Sequence, residues 1–363
     1  MKKIIITAII IVVALVAGIF VINIYETDAE VTKEPTNVGL ILNGYKDDKS
    51  WSQSHYESLK SSAAELNLNI ICKEYVTVDT IAAVIDELAS EKCKMIIANS
   101  DLFKHYISEA AELYPEIYFF HASGTDYGKN LCSYFGRMYQ ARYLSGIVAG
   151  LQTETNHIGY VAAMPISEVN RGINAFALGV RSVNPEAVVY VRWTDSWTGD
   201  LVAEHAAEQL IAERNIDVMT VHTDTLSPLL VAEEQGISAI GYNVDNREEY
   251  PNAYLTAAIW DWEAFYTSKL LSCLQGKFVG ENYWEGLESG MVSVAPLSEN
   301  VKQGTQEVLE NARDRILSGT YDVFYGPIYD NEGILRVAEG ECLTDNAMLN
   351  EFDWYVEGVV IEE

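Results

Sequence analysis

From Val38 onward, short apolar runs alternate with amphipathic segments. VGLILNG (38–44) is an unbroken apolar run that ends in a turn residue, and Ser50 to Leu66 follows with helical spacing. NIICKEYV (69–76), KMIIANS (94–100) and IYFFHAS (117–123) repeat the first pattern; Thr80 to Ser90 and Phe103 to Leu113 repeat the second. The apolar runs are short and rich in Ile and Val, as expected of parallel strands covered on both faces. Their alternation with helices predicts a doubly wound α/β sheet.

The pattern then restarts. NLCSYFG (130–136) precedes a helix from Tyr139 to Leu151. IGYVAAM (158–164), AVVYVRW (187–193), VMTVHT (218–223) and SAIGY (238–242) read as strands, with helices near 168–182, 200–213 and 226–235 between them. AYLTAAIW (253–260) is extended and a helix from Trp262 to Leu274 follows. The remainder is mixed, with strand-like runs at GMVSVAP (290–296) and YDVFYGPI (321–328). Two α/β units of similar size, with segments returning after the second, predict a two-lobed receptor. A length of 363 residues agrees with more than one core.

In such sheets ligands bind beyond the carboxyl ends of the strands. That rule singles out GYKDDKSW, ANSD, HASGTD, AAMPISE, RWTDSW, HTDTLS and GYNVDN, where the unusual polar and aromatic residues gather. Trp51 stands in a polar stretch after the first strand, and Trp193 and Trp197 flank TDS in the second unit. Trp260 and Trp262 close the late extended run. Two indole faces opposed across a cleft would sandwich a planar heterocycle or a sugar ring, at roughly 1–3 kcal/mol per stacked base. The competing role for any one tryptophan is core or lid packing. Asp224 and Asp245 at strand ends offer acceptors for ring N–H, amino or ribose hydroxyl donors, and Ser100 adds a hydroxyl. The competing role for Asp224 is a helix N-cap, and Ser50 or Ser52 is the expected cap of the first helix. Because its loop is polar, removing Trp51 is expected to weaken binding with little loss of stability.

Charge and chemistry narrow the function. A net charge of −29 argues against a nucleic-acid partner, which needs a basic surface. No GxSxG elbow, P-loop or HExxH is present, and the five cysteines show no CxxC spacing, so neither a catalytic motif nor metal ligation is supported. Buried free thiols are expected rather than disulfides. Paired carboxylates in a cleft keep a nucleoside-cleaving enzyme open as an alternative. At the amino terminus Lys2 and Lys3 precede an uncharged run from Ile4 to Ile24, and Glu26, Asp28 and Glu30 follow. At ~1.5 Å per residue the run can span a ~30 Å hydrocarbon core, and the charge bias leaves the rest outside the cytoplasm. An uncleaved anchor is expected, with a cleaved signal segment as the alternative.

With these segments laid out, the chain resembles the basic membrane protein family of ABC-transporter solute-binding proteins. The likeness rests on YFGRMYQARYLSGIVAGLQT (134–153), IGYVAAMPISEVNRGINAFALGVRSVNP (158–185), WTDSW (193–197), HTDT (222–225), AEEQGISAIGYNVD (232–245), VFYGPIYDNEG (323–333) and FDWYVEGV (352–359). The resemblance implies a type I periplasmic-binding fold, two doubly wound lobes joined by a three-stranded hinge. Residues 1–25 are read, from the apolar run Ile4 to Ile24, as anchor or signal and 26–36 as tether. Lobe 1 is expected over 37–133 plus 258–322, and lobe 2 over 134–257 plus 323–363. A small-molecule ligand, a purine base or nucleoside, is implied, with an ABC permease as partner, no cofactor, no turnover and a monomeric state. Trp51 is similar to the family's ring-stacking aromatic, Trp197 to the opposing one, Asp224 to the carboxylate that reads the base edge, and Asp245 to the one near the sugar. Ser100 and Tyr45 are further candidates, and Trp260 stands where nucleoside receptors carry a serine and a ribose-holding lysine nearby. TAAIWDW (256–262) has no lysine, which points to a free base such as adenine. The same lobes read by a signalling partner would make a tethered sensor.

Overall fold

The computed structural model describes residues 34–362. The apolar run from Ile4 to Ile24 lies outside them, and among the described residues no helix is long and apolar enough to cross a membrane.

The first sheet has six strands, all parallel. They are β1 (Thr36–Ile41), β2 (Leu68–Lys73), β3 (Met95–Ala98), β4 (Tyr118–Ala122), β5 (Leu131–Gly136) and β11 (Asn282–Glu285), in spatial order β11-β5-β4-β3-β1-β2. Helices α1 (Trp51–Leu66), α2 (Ile81–Ser90), α3 (Lys104–Leu113) and α8 (Glu263–Leu274) belong to this unit. The second sheet has seven strands: β6 (His157–Ala162), β7 (Val188–Trp193), β8 (Val218–His222), β9 (Ser238–Asn243), β10 (Tyr254–Trp260), β12 (Val292–Val294) and β15 (Val359–Glu362). Their order is β12-β10-β9-β8-β6-β7-β15, parallel except that β12 runs antiparallel to β10. Its helices are α4 (Met138–Gln152), α5 (Ser167–Val183), α6 (Asp200–Arg214), α7 (Ser227–Gln235) and α9 (Thr305–Leu317). A hairpin of β13 (Ile328–Tyr329) and β14 (Leu335–Val337) and helix α10 (Asp345–Asn350) lie in the carboxyl-terminal part.

Both sheets repeat one winding. Strands β2-β1-β3-β4-β5 and β7-β6-β8-β9-β10 follow the same doubly wound order, so each lobe has a switch point where the order reverses beside its first strand. The apolar runs become strands because both faces are covered: Val38, Leu40, Ile96, Ile97 and Phe119 are fully buried.

The chain passes between the sheets three times: at Arg137, at Asp261–Trp262, and over residues 286–291. The amide of Asp261 donates to the Met291 carbonyl at 2.8 Å, tying the second crossing to the third. Gly136 sits where all three meet. A Cβ there would lie 2.7 Å from Trp260 and from Val292, and 3.3 Å from the Met291 sulfur, closer than a side chain tolerates. Helices α4 and α5 touch backbone to backbone, since a Cβ at Gly146 would overlap the Phe176 carbonyl and one at Gly179 the Tyr143 carbonyl.

Three expectations need correction. Residues 292–294 pair with β10 in the second sheet and α9 packs on α4, although 258–322 was expected with lobe 1. In the stretch 321–328 only Ile328 is strand: Val323 and Phe324 are buried in a turn, and Tyr325 is exposed with a single isolated bridge to Cys342 rather than a ladder. The first helix is capped by Asp48, not by Ser50 or Ser52. One Asp48 oxygen accepts from the amides of Ser50 (2.8 Å) and Gln53 (3.0 Å), the other from Ser52 (2.9 Å).

Candidate ligand-binding site

The two switch points face each other, and a cavity of about 190 Å³ lies between them. Lobe 1 contributes Asn43 and Trp51 after β1, and Asn99 and Ser100 after β3. Lobe 2 contributes Met164, Ile166 and Glu168 after β6, Trp197 after β7 and Asp224 after β8. The strand-end rule thus brings Trp51, Ser100, Trp197 and Asp224 to one wall-to-wall space.

Trp51 is not in a polar loop. It opens α1 and is 9% exposed. Its indole meets Trp260, Trp262 and His55 edge-on, at 5.8, 5.5 and 4.5 Å between ring centres. Its Nε1 donates to the Asn99 carbonyl at 2.7 Å. The Asn99 side chain in turn accepts from the Asn43 amide at 2.9 Å. The polar neighbours Ser50, Ser52, Ser54 and His55 are buried with it and find partners inside: Ser54 accepts from Trp262 Nε1 at 2.9 Å, and His55 Nδ1 bonds the Tyr266 hydroxyl at 2.6 Å. A polar run read along the chain could not show that. Trp51 is therefore both a cavity wall and a core residue. Behind it, Trp260 stacks on Trp262 at 4.4 Å and 12° and does not line the cavity. Trp260 donates from Nε1 to Asn243 Oδ1 at 3.0 Å.

Trp197 lines the opposite side and is half-buried. Among the described residues there is no ring contact between it and Trp51; its ring neighbour is His222, at 6.1 Å. The Trp197 carbonyl accepts from the Asp224 amide at 2.7 Å, which fixes the aromatic and the carboxylate of lobe 2 relative to each other. Asp224 does not cap α7, whose N-cap position is Leu226 with no side-chain cap. Instead its Oδ1 accepts from Asn243 Nδ2 at 3.0 Å.

The carboxylates here are held away from their ordinary behaviour. Burial, reinforced by Asp48 and Glu168, pushes Asp224 well above the usual carboxylate range, and Asn243 offsets only part of this. Burial likewise pushes Glu168 up to about 7, with Arg171 opposing. No lysine or arginine is among the described residues that line the cavity. A ligand that donates hydrogen bonds to Asp224 and Glu168 would relieve this stress; an anionic one would add to it.

The other expected residues lie elsewhere. Asp245 is exposed and paired with Arg247 at 2.6 Å, outside the cavity. The reason is local: β9 ends at Asn243 in a left-handed conformation (φ 71°), which keeps Asn243 inside and carries Asp245 to the surface. Tyr45 is exposed, stacked on Tyr75 at 5.3 Å, and lines an adjoining cavity of about 680 Å³ that shares Asn43 and Asp224. Sequence reasoning missed Asn43, Asn99, Asn243 and Glu168. A signal existed: β9 ends in an asparagine, β3 one residue before one and β1 two residues before one, each closing an apolar run. An amide in that position must find partners, because strand ends at a sheet's centre are buried.

Comparison with known proteins agrees with this geometry. A purine-binding protein of Brucella abortus is 30% identical over 333 residues, covering 90% of this chain and 93% of that one. A protein of Haloferax volcanii, provisionally described as an ABC transporter glucose-binding protein, is 33% identical over 313 residues, 86% of this chain and 77% of its own. The structure of an ABC transporter solute-binding protein from Aeropyrum pernix superposes with a TM-score of 0.70 at 16% identity, over 79% of this chain and 93% of that one, which shows the shared fold. The family described as ABC transporter substrate-binding protein PnrA-like matches residues 35–324. Two facing switch points and that match lead to one conclusion: the chain belongs to this family of ABC transporter substrate-binding proteins.

Proposed function

We propose that the protein is the extracytoplasmic receptor of an ABC importer and that it encloses a purine base between its lobes. The observation that carries this reading is the composition of the cavity. Trp51 and Trp197 supply two aromatic walls from opposite lobes, Met164, Ile166 and Tyr242 add apolar surface, and Asp224 and Glu168 supply acceptors from the lobe 2 side. A purine has two large apolar faces and N–H donors confined to its edges, which is the complement of this arrangement. The absence of a lining cation argues against nucleotides. A volume of about 190 Å³ falls below the ~300 Å³ at which drug-sized pockets begin and suits a base; a nucleoside would have to place its ribose in the adjoining cavity beyond Asn43 and Asp224. Trp260 fills the position where a ribose-holding lysine would be expected nearby, which favours the same choice. The similarity to the Brucella purine-binding protein supports it independently.

A hexose is the second reading, and the Haloferax relative favours it. A sugar carries hydroxyls around its whole rim, however, and the lining by Trp51, Leu102, Met164, Ile166 and Trp197 would leave some of them unmatched. The run from Ile4 to Ile24 would hold the receptor at the membrane beside its permease. Thermal shift and native mass spectrometry with adenine, guanine, hypoxanthine, adenosine, AMP and glucose test the ligand. We expect a one-to-one complex and a raised melting temperature with adenine, and none with AMP. A shift with glucose and none with any purine overturns the purine reading.

A further inference from the structure

Asn243 joins three parts of the molecule through one side chain. Its Nδ2 donates across the cleft to Ser50 Oγ at 2.8 Å, and to Asp224 Oδ1 at 3.0 Å. Its Oδ1 accepts from Trp260 Nε1, one residue before the second crossing, at 3.0 Å. Asn243 and Ser50 are both 0% exposed. Both amide hydrogens and the oxygen are thereby engaged. The left-handed backbone at Asn243, a conformation that asparagine tolerates better than most side chains, is what aims the amide inward.

The neighbouring contacts run the same way. Asn246 Nδ2 donates to the Lys49 carbonyl at 3.2 Å, and Lys49 pairs with Glu249 at 3.0 Å. Residues 49–50 of lobe 1 thus dock onto residues 243–249 of lobe 2. The docked loop runs directly into Trp51, a wall of the cavity. Opening the lobes must break all of these contacts. It would leave Asn243 with one N–H unmatched and Asp224 with a partner no longer held from the far side.

We propose that Asn243 is the positioning residue that couples lobe closure to the grip on the ligand. With Ser50 docked, the amide is locked and presents Asp224 to the cavity in one orientation. With the lobes apart, the Ser50 bond is lost, the amide is held from lobe 2 alone, and Asp224 is no longer fixed from the far side. The ligand is then held tightly only in the closed form, and separating the lobes at a permease would loosen it without any change in the cavity's composition. Closure is stabilised by contacts made only in that state, so their loss is expected in the dissociation rate rather than the association rate.

The test uses two variants of the full chain. Asn243→Gly keeps the left-handed backbone accessible and removes the amide. Ser50→Ala removes only the acceptor on the opposite lobe. Stopped-flow tryptophan fluorescence with adenine reads the kinetics, an arm that rests on the purine reading. Both variants are expected to release adenine at least tenfold faster, with association changed less than threefold. Small-angle scattering of the ligand-free protein is the second arm and needs no ligand: both variants are expected to show a larger radius of gyration than the wild type. Unchanged dissociation, or with no adenine binding an unchanged radius of gyration, overturns the coupling even where melting temperature falls. A wild-type protein that ignores every purine overturns the ligand reading alone, and the scattering arm still decides the coupling.

Discussion

The indole nitrogen of Trp51 donates to the backbone carbonyl of Asn99 at 2.7 Å, joining the ends of β1 and β3 at the first lobe's switch point. The ring is thereby fixed edge-on to Trp260 and Trp262, with the cavity on its remaining side. Trp51→Ala is therefore expected to lower stability by about 3 kcal/mol, as for a buried aromatic truncated in a core. It should also weaken purine binding at least tenfold. Trp51→Phe keeps an aromatic wall and strands the carbonyl, for about 1–2 kcal/mol and a smaller loss of affinity. Denaturant unfolding and calorimetric titration separate the two effects. An alanine variant with wild-type stability would contradict the packing described here.

Asp224→Asn is expected to move stability and affinity in opposite directions. Burial and two neighbouring carboxylates disfavour the charge, so the neutral amide should raise the melting temperature of the ligand-free protein. The new Oδ1 still accepts from Asn243. A ligand that donates to the carboxylate should bind at least tenfold more weakly. Loss of stability with unchanged affinity would instead make Asp224 a scaffold residue.

Glu168 gives a pH signature. Its folded pKa of about 7 lies above the ordinary 4.5, so between those values the folded chain holds more protons than the unfolded one. Its contribution to stability therefore falls as pH rises through that window. The buried His55 and His222 act oppositely: burial depresses both, and their contribution is lost as pH falls below the ordinary 6.5. The Glu168 share is isolated as the difference between wild type and Glu168→Gln, measured as melting temperature from about pH 5 to about pH 8. That difference should shift in favour of the variant as pH rises. A flat difference would remove Glu168 from the linkage.

Gly136→Ala places a methyl group among Trp260, Met291 and Val292, where the three crossings converge. We expect a loss of stability of about 1–3 kcal/mol from overpacking. Adenine affinity should change as well, although the residue does not line the cavity. Differential scanning calorimetry and titration check both, and affinity identical to wild type would mean that the crossings yield without affecting closure.

Much of this was legible in the sequence. The alternation of Ile- and Val-rich runs with helical spacing located the strands from Val38 to Trp260, because short β-branched runs bounded by turn residues suit strands covered on both faces. The strand-end rule then named Trp51, Ser100, Trp197 and Asp224, which the fold brings to one cavity. It failed where position along the chain and position in space part company. Asp245 lies two residues past Asn243, and one left-handed residue decides which of them stays inside. Trp260 looked like a ligand contact because it ends a strand, but Trp51 stands in front of it. The carboxyl-terminal part was least legible: β11, β12 and β15 are edge strands of three or four residues, and their pairing depends on distant partners.

The backbone contact of α4 with α5 has a mechanical consequence. At Gly146 and Gly179 the helices touch main chain to main chain, so neither can slide without steric overlap. Helix α4 begins at the first crossing, and α5 begins at the cavity with Glu168 in its first turn. The pair is therefore expected to move as one stiff beam, anchored at the first crossing and carrying part of the cavity wall at its other start. A torque applied to lobe 2 from outside is expected to reach the wall of the cavity through this beam, with the bending left to the three crossings.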